Sequence, residues 1–244
     1  GLLVGSMTAA QKRDCRADLA AGALDLIVGT HALLSEGVSF RRLGLVITDE
    51  QHRFGVDQRA ALAAKSGEKD RPHVLVMSAT PIPRTLALMI YGDLDLSVID
   101  QLPPGRTPVA TYLIREDKRA RLYAFVRKQV AQGHQVYIVC PAVDQEDPEG
   151  LKAAEQYGRQ LQEEVFPDLR VGIVHGKQKA RDKQGVMAAF AAGEVDVLVS
   201  TTVIEVGVDV PNASLIIVEN ADRFGLSQLH QLRGRVGRGR HQSY

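Results

Sequence analysis

The chain has no tryptophan, 5% aromatic residues, two cysteines and almost no net charge. Each shortage excludes a class of protein. With 30 basic against 29 acidic residues the formal charge is +1, so a polybasic or histone-like binder is ruled out and any contact with nucleic acid must come from a local patch. The scarcity of aromatics argues against extensive base stacking and favours contact with a nucleic-acid backbone. Cys15 and Cys140 are far apart and form no C-x-x-C, which speaks against a zinc ribbon, a thioredoxin-like site or a secreted disulfide scaffold and points to a reducing cytosol. No apolar run approaches the roughly 18 to 20 residues that cross a bilayer, and the start carries neither a signal-peptide pattern nor an initiator Met. The chain reads as an internal piece of a longer, cytoplasmic, membrane-free protein.

What is present is the balance of a folded domain or two: 244 residues, 45% hydrophobic, 24% charged. Short apolar runs alternate with stretches of helical period, the pattern of an α/β fold with a mostly parallel sheet. Expected strands are Leu24 to Val28, Leu43 to Ile47, Val74 to Met77 and Leu94 to Ile99, each without alternation and so expected to be buried on both faces. Thr8 to Ala21 reads as a helix capped by Thr8 and closed by Gly22, with shorter helices at Asp57 to Ala64 and Arg84 to Tyr91. The Pro-Pro-Gly-Arg-Thr-Pro of residues 103–108 breaks every periodicity. Residues 1–100 and 109–244 are therefore expected to be two α/β domains joined by a linker over 101–108. In the second, strands are expected at Val109 to Ile114, Val136 to Cys140, Val171 to Val174, Val195 to Val199 and Ser214 to Val218. Helices are expected at Asp117 to Gln132, Leu151 to Val165 and Ala180 to Ala192. The acidic stretch Asp144 to Glu149 reads as an exposed loop.

Four segments carry chemistry. Leu45 to His52 is an apolar strand that delivers Asp49, Glu50, Gln51 and His52 at its carboxyl end, where ligands bind in open α/β sheets. An Asp there suits Mg²⁺ held through water, and Glu50 can orient and deprotonate an attacking water. A strand ending in a solvated acidic turn would look similar. Val74 to Pro81 ends in Ser78, Ala79 and Thr80, whose hydroxyls can bond a neighbouring carboxylate or histidine, or simply cap a turn. Val199 to Val210 carries Thr201, Thr202, Glu205, Gly207 and Asp209; hydroxyls and free amides suit phosphate oxygens, and an ordinary strand connection is the plainer reading. Gln228 to Gly239 sets Arg235 and Arg238 three apart after Gln231, and planar guanidiniums clamp phosphoryl oxygens. A generic basic loop is the alternative. The seven histidines never take metal-ligand spacing, so zinc is not expected.

In their order, Asp49 to His52, Ser78 to Thr85, Ser200 to Pro211 and Gln228 to Gly239 resemble motifs II, III, V and VI of superfamily 2 helicases, placed on two RecA-like domains. Gly29 to Leu33, Leu43 to Gly55, Tyr91 to Leu96, Leu102 to Pro108 and Glu219 to Leu226 resemble more particularly the RecG branch-migration helicases, over essentially the whole chain. The transcription-repair coupling translocases are similar around motifs II and III, but their acidic motif reads Asp-Glu-Glu-His and their linker differs. The resemblance implies an ATP- and Mg²⁺-dependent DNA helicase that remodels forks and Holliday junctions in recombination and repair, with branched or double-stranded DNA as partner and replication or repair proteins as candidates.

Residue by residue, it implies that Asp49 and Glu50 serve Mg²⁺ and water, with Gln51 and His52 completing that motif. Ser78, Ala79 and Thr80 couple nucleotide to DNA. Gln231 senses the γ-phosphate, and Arg235 and Arg238 act as arginine fingers. Gly29, Thr30, His31, His175, Gly176, Thr201 and Thr202 meet the DNA backbone, and Gly207 and Asp209 link that track to the nucleotide. One departure stands out: no G-x-x-x-x-G-K-[ST] occurs in the 244 residues, so the phosphate-cradling loop is missing. The family's wedge domain and the helical hairpin after motif VI are also absent, and the chain stops at Tyr244 within the expected last strand. The fragment alone is expected to be inactive. A non-catalytic α/β nucleic-acid-binding module would also lack that loop, though Glu50 and both arginines, which such a module should have lost, are retained.

Overall fold

The computed structural model describes residues 1–49, 72–78, 95–103, 106–141, 155–201, 210–239 and 241–244. The chain divides into two compact units, Gly1–Pro81 and Ile82–Tyr244.

In the first unit, β1 (Leu2–Leu3) pairs in parallel with β2 (Val28–Gly29), and β3 (Leu45–Thr48) with β4 (His73–Val76). Between β1 and β2 lies α1 (Ala9–Ala21), whose ends are set by local chemistry. Thr8 forms a capping box with Gln11, and Gly22 closes the helix in the left-handed conformation, φ 73°. A small core of Leu3, Leu19 and Val38 binds helix to strands. The expected strand at 24–28 shrinks to its end, because only Val28 and Gly29 meet a partner strand. The expectation of two buried faces fails for β3. Val46 and Thr48 are buried while Leu45 and Ile47 are each 55% exposed, so the strand is covered on one face.

The second unit is built on a four-stranded parallel sheet in the order β6-β7-β5-β8. Its strands are β5 (Gln135–Val139), β6 (Val171–Val174), β7 (Val197–Ser200) and β8 (Ala213–Val218). Among the described residues four helices follow the expected α/β alternation. They are α2 (Arg119–Ala131), α3 (helical over 155–160 and running into a wide turn at Leu161–Val165), α4 (Ala180–Ala191) and α5 (Leu226–Arg233). Every residue of β5 and β7 is buried, as expected of strands covered on both faces. One face packs Val136, Ile138, Val197 and Val199 against Val126, Leu161 and Phe166. The other packs Tyr137 and Leu198 against Met187 and Phe190. Each such large side chain contributes about 1.5–3 kcal/mol on leaving water.

Two expected strands do not form. Residues 95–100 and 109–114 have no regular structure; Ile99 is 95% exposed and Leu113 87%, so neither run finds the cover that a buried strand requires. Beside the β8 edge the sheet continues irregularly. Tyr244 donates to Ser214 and accepts from Ile216, and Ala110 in turn donates to Ser243. The expected helices at 57–64 and 84–91, and Leu94, lie outside the described residues.

Candidate nucleotide and nucleic-acid site

The carboxyl ends of the parallel strands carry most of the described candidates. In the first unit Asp49, exposed, directly follows β3, and Ser78 follows β4 by two residues. The two strands are neighbours, and Met77 N donates to Thr48 O at 2.8 Å, so the carboxylate and the hydroxyl share one sheet edge. Gly29, Thr30 and His31 occupy the end of β2 and the short turn after it. A side chain at Gly29 would come within 2.3 Å of Leu3 O and 2.8 Å of Leu33, so close packing alone demands glycine there. Thr30 and His31 beside it are exposed.

In the second unit His175 follows β6, Thr201 follows β7, Cys140 follows β5 and Glu219 follows β8, which lines the four up along the sheet order. His175 and Thr201 adjoin: Thr201 N donates to Val174 O at 3.3 Å. Both are buried. The Nε2 of His175 lies 2.8 Å from the Glu155 carboxylate, while His175 Nδ1 and Thr201 Oγ1 have no hydrogen-bond partner among the described residues. Buried polar atoms without partners are uncommon and costly, and here two occur side by side at the edge where ligands of open α/β sheets bind. Gly176, exposed, follows, its carbonyl accepting from Lys183 Nζ at 2.7 Å.

Gln231 sits on α5, and Arg235 and Arg238 on the turn after it. The turn is tightly held. Arg238 Nε donates to Gly234 O at 3.1 Å, and Gly237 has φ 76°, open to glycine and costly to other residues. Glu50, Gln51, His52, Ala79, Thr80, Thr202, Gly207 and Asp209 lie outside the described residues. Among the described residues no group of three His, Cys, Asp or Glu side chains is placed to hold a metal ion, and no helix is long and apolar enough to cross a membrane.

Sequence reasoning missed an ionic cluster behind this edge. Arg119, in the first turn of α2, grips Glu219 through Nη1 at 2.8 Å and Nη2 at 3.1 Å, and Tyr157 of α3 donates to the same carboxylate at 2.7 Å. The hydroxyls of Tyr123 and Tyr157 are 3.3 Å apart. Burial pushes the Glu219 carboxyl up, but the hydrogen bonds from Arg119 and Tyr157 outweigh it and hold the carboxyl below its ordinary value. The same pairing raises Arg119. Cys140, buried beside this charge, has its thiol pushed up to about 12, chiefly by burial and then by Glu219, which makes it a core residue and a poor nucleophile. The cluster fixes the exit of β8, from which Asn220, in a left-handed turn of φ 49°, leads to α5. Nothing in the spacing of residues 119, 157 and 219 announces the contact; only the fold brings them together.

Comparison with known proteins identifies the family and the fold. Residues 117–240 match the model of the helicase conserved C-terminal domain, and residues 2–89 that of the DEAD/DEAH box helicases. The chain is 55% identical over 243 residues to the ATP-dependent DNA helicase RecG of Synechocystis sp., covering 100% of this chain and 29% of the relative. It is 51% identical over 243 residues to the RecG of Thermotoga maritima, covering 100% of this chain and 31% of that one. A solved structure of RecG bound to a three-way DNA junction matches with a TM-score of 0.72 and 48% identity, over 98% of this chain and 30% of that one. The fold is thus that of two RecA-like helicase domains with parallel sheets. The chain spans about 30% of the length of these relatives.

Proposed function

Because the chain belongs to the helicase conserved C-terminal domain family and is homologous along its whole length to RecG ATP-dependent DNA helicases, we propose that it is part of the motor of an ATP-driven DNA translocase that remodels branched DNA. The observation that carries this reading is the buried Thr201 hydroxyl, which has no hydrogen-bond partner among the described residues, beside His175 at the carboxyl edge of the second sheet. A polar atom held there without a partner fits a site whose partner is a ligand, and phosphate oxygens of a DNA backbone supply acceptors without any demand on sequence. Gly176 and Thr202 are the further backbone contacts proposed in the second unit, and Gly29, Thr30 and His31 those proposed in the first.

The residues present fit a magnesium nucleotide in part. An exposed carboxylate at the end of a parallel strand, Asp49, with the Ser78 hydroxyl on the adjoining strand, suits a cation that keeps most of its water. The 244 residues contain no lysine-bearing phosphate loop, so they supply the metal and charge-stabilising side of the site and not its cradle. Mg²⁺, when bound, neutralises charge on the phosphates. Asp49 would hold it, and Glu50 would orient the attacking water and accept its proton. Gln51 and His52 complete this motif, and Gln231 reads the γ-phosphate. Arg235 and Arg238 meet the negative charge that develops during phosphoryl transfer. Ser78, Ala79 and Thr80 couple this chemistry to the DNA track, as do Gly207 and Asp209.

The test is Glu50→Gln in the full-length parent. The substitution removes the base while leaving the metal charge at Asp49, so steady-state ATP hydrolysis falls at least about 100-fold, while titration shows nucleotide binding largely intact. Near-normal turnover would return Glu50 to a structural role and sink the catalytic reading. A non-catalytic module would show no nucleotide-dependent signal in either protein.

A further inference from the structure

The turn that carries Arg235 and Arg238 is held from outside. Arg106, from the Pro-Gly-Arg-Thr-Pro stretch at 104–108, donates from Nε to Gly237 O at 3.0 Å and from Nη2 to Gly234 O at 3.4 Å. Gly234 and Gly237 bracket Arg235, and the Gly234 carbonyl that receives Arg106 also receives Arg238 Nε at 3.1 Å. One guanidinium thus spans the turn between the two candidate fingers. It is supported on both sides. Arg106 N donates to Pro103 O at 3.2 Å. After it, Thr107 Oγ1 donates to His241 O at 3.3 Å, Gln242 Nε2 donates to Pro108 O at 3.0 Å, and Ala110 N donates to Ser243 O at 2.9 Å. A Cβ at Gly237 would stand 2.9 Å from Val109 and 3.7 Å from Thr107 O, so residues 107 and 109 lie directly against the turn. The planar fork of Arg reaches two carbonyls at once, and no other side chain has that geometry.

From this contact we propose that Arg106 is a positioning residue for ATP hydrolysis, setting the turn that aims Arg235 and Arg238. Arg106 touches neither nucleotide nor metal in this scheme; it acts through the backbone of residues 234–237. The inference rests on the assignment of Arg235 and Arg238 as the groups that stabilise developing charge. If that assignment holds, loosening the turn misplaces two guanidiniums whose effect depends on sub-ångström aim. A misplacement of that order costs about 100-fold in rate. Interactions felt only in the transition state lower kcat and leave KM nearly unchanged.

The experiment is steady-state ATP hydrolysis by the full-length parent carrying Arg106→Ala and Arg106→Lys, with DNA affinity and thermal melting measured on the same samples. Arg106→Ala is expected to lower kcat about 10- to 100-fold, with KM for ATP and the Kd for DNA within about twofold. Arg106→Lys, which can serve one carbonyl at a time, is expected to fall between. Added guanidinium ion at a concentration below that which unfolds the protein is expected to restore part of the Arg106→Ala rate, which a loss of packing would not allow. An unchanged kcat overturns the proposal. So does a kcat that falls only in step with melting temperature or with KM and is not restored by guanidinium. Should Arg106→Ala fail to fold, Arg106→Lys decides by the same kcat and KM criteria. Loss of activity in Glu50→Gln together with normal kcat in the Arg106 variants would defeat this inference alone, whereas near-normal turnover in Glu50→Gln would defeat the motor reading beneath it.

Discussion

The β3–β4 pair of the first unit and the β5–β7 pair of the second are both parallel and rich in Val, Ile and Leu, and each has registers of four residues. Their surroundings differ. β5 has a strand on each side and helices over both faces, and none of its residues is exposed. In β3 the side chains alternate between exposed and buried, and in β4 Val74 and Leu75 remain 40% and 49% exposed. The contrast shows that an apolar run states what a strand can tolerate, while the elements packed on it decide what it contributes. His175 and Thr201 follow strands of the more deeply buried sheet, whereas Asp49 and Ser78 follow strands that are partly exposed.

Truncation is the most direct way to measure that difference. Ile138→Ala, at a fully buried position, is expected to cost about 2–5 kcal/mol. Ile47→Ala, at a position more than half exposed, is expected to cost less than about 1 kcal/mol. Urea unfolding reads both. The chain has no Trp and its six Tyr all fall at residue 91 or later, so tyrosine fluorescence reports the second unit and far-ultraviolet circular dichroism the whole. Equal costs would erase the contrast between the sheets.

Glu219→Ala is expected to be next in size. It removes the acceptor that Arg119 and the Tyr157 hydroxyl share, and because Arg119 keeps Glu116 at 2.7 Å, the loss is that of a charged hydrogen-bond set, about 1.5–3 kcal/mol. The pH dependence has a definite sign. Because the folded carboxyl lies below its ordinary value, its contribution is fully present above the unfolded pKa of about 4.3 and is lost as pH falls through the folded value. Stability of the second unit should therefore decline in acid more steeply in the native chain than in Glu219→Gln. Parallel acid profiles would show that the ion pair contributes nothing to folding. Smallest is Thr8→Ala in the first unit, where loss of the capping box on α1 should cost about 1 kcal/mol, visible in circular dichroism while tyrosine fluorescence stays unchanged.

How much of this was legible beforehand follows from what each feature depends on. The α1 helix could be read because Thr8 and Gly22 are local signals. Strands β5 to β8 could be read because a run of Val, Ile and Leu between helical stretches has few other uses; the end of β7 singled out Thr201, while His175 was implied by the family resemblance alone. The runs at 95–99 and 109–114 carry the same kind of residues, yet among the described residues neither forms a regular strand, and no local signal distinguishes them. The Arg119–Glu219–Tyr157 cluster and the Arg106 contact with residues 234 and 237 join positions about 60 to 130 apart, which only topology brings together. Both Glu219 and Arg106 lie in segments whose wording already resembled the helicase family, but wording carries no geometry.

Directional movement along DNA driven by ATP is what separates a motor from a binding module. The full-length parent, given a duplex that bears a third strand as a roadblock, is predicted to displace that strand when ATP is present, to stop when ATP is withheld, and to lose displacement in Glu50→Gln while still binding the duplex. Binding to the duplex with no displacement under any nucleotide condition would contradict the account and leave these two domains as a nucleic-acid-binding module without a motor.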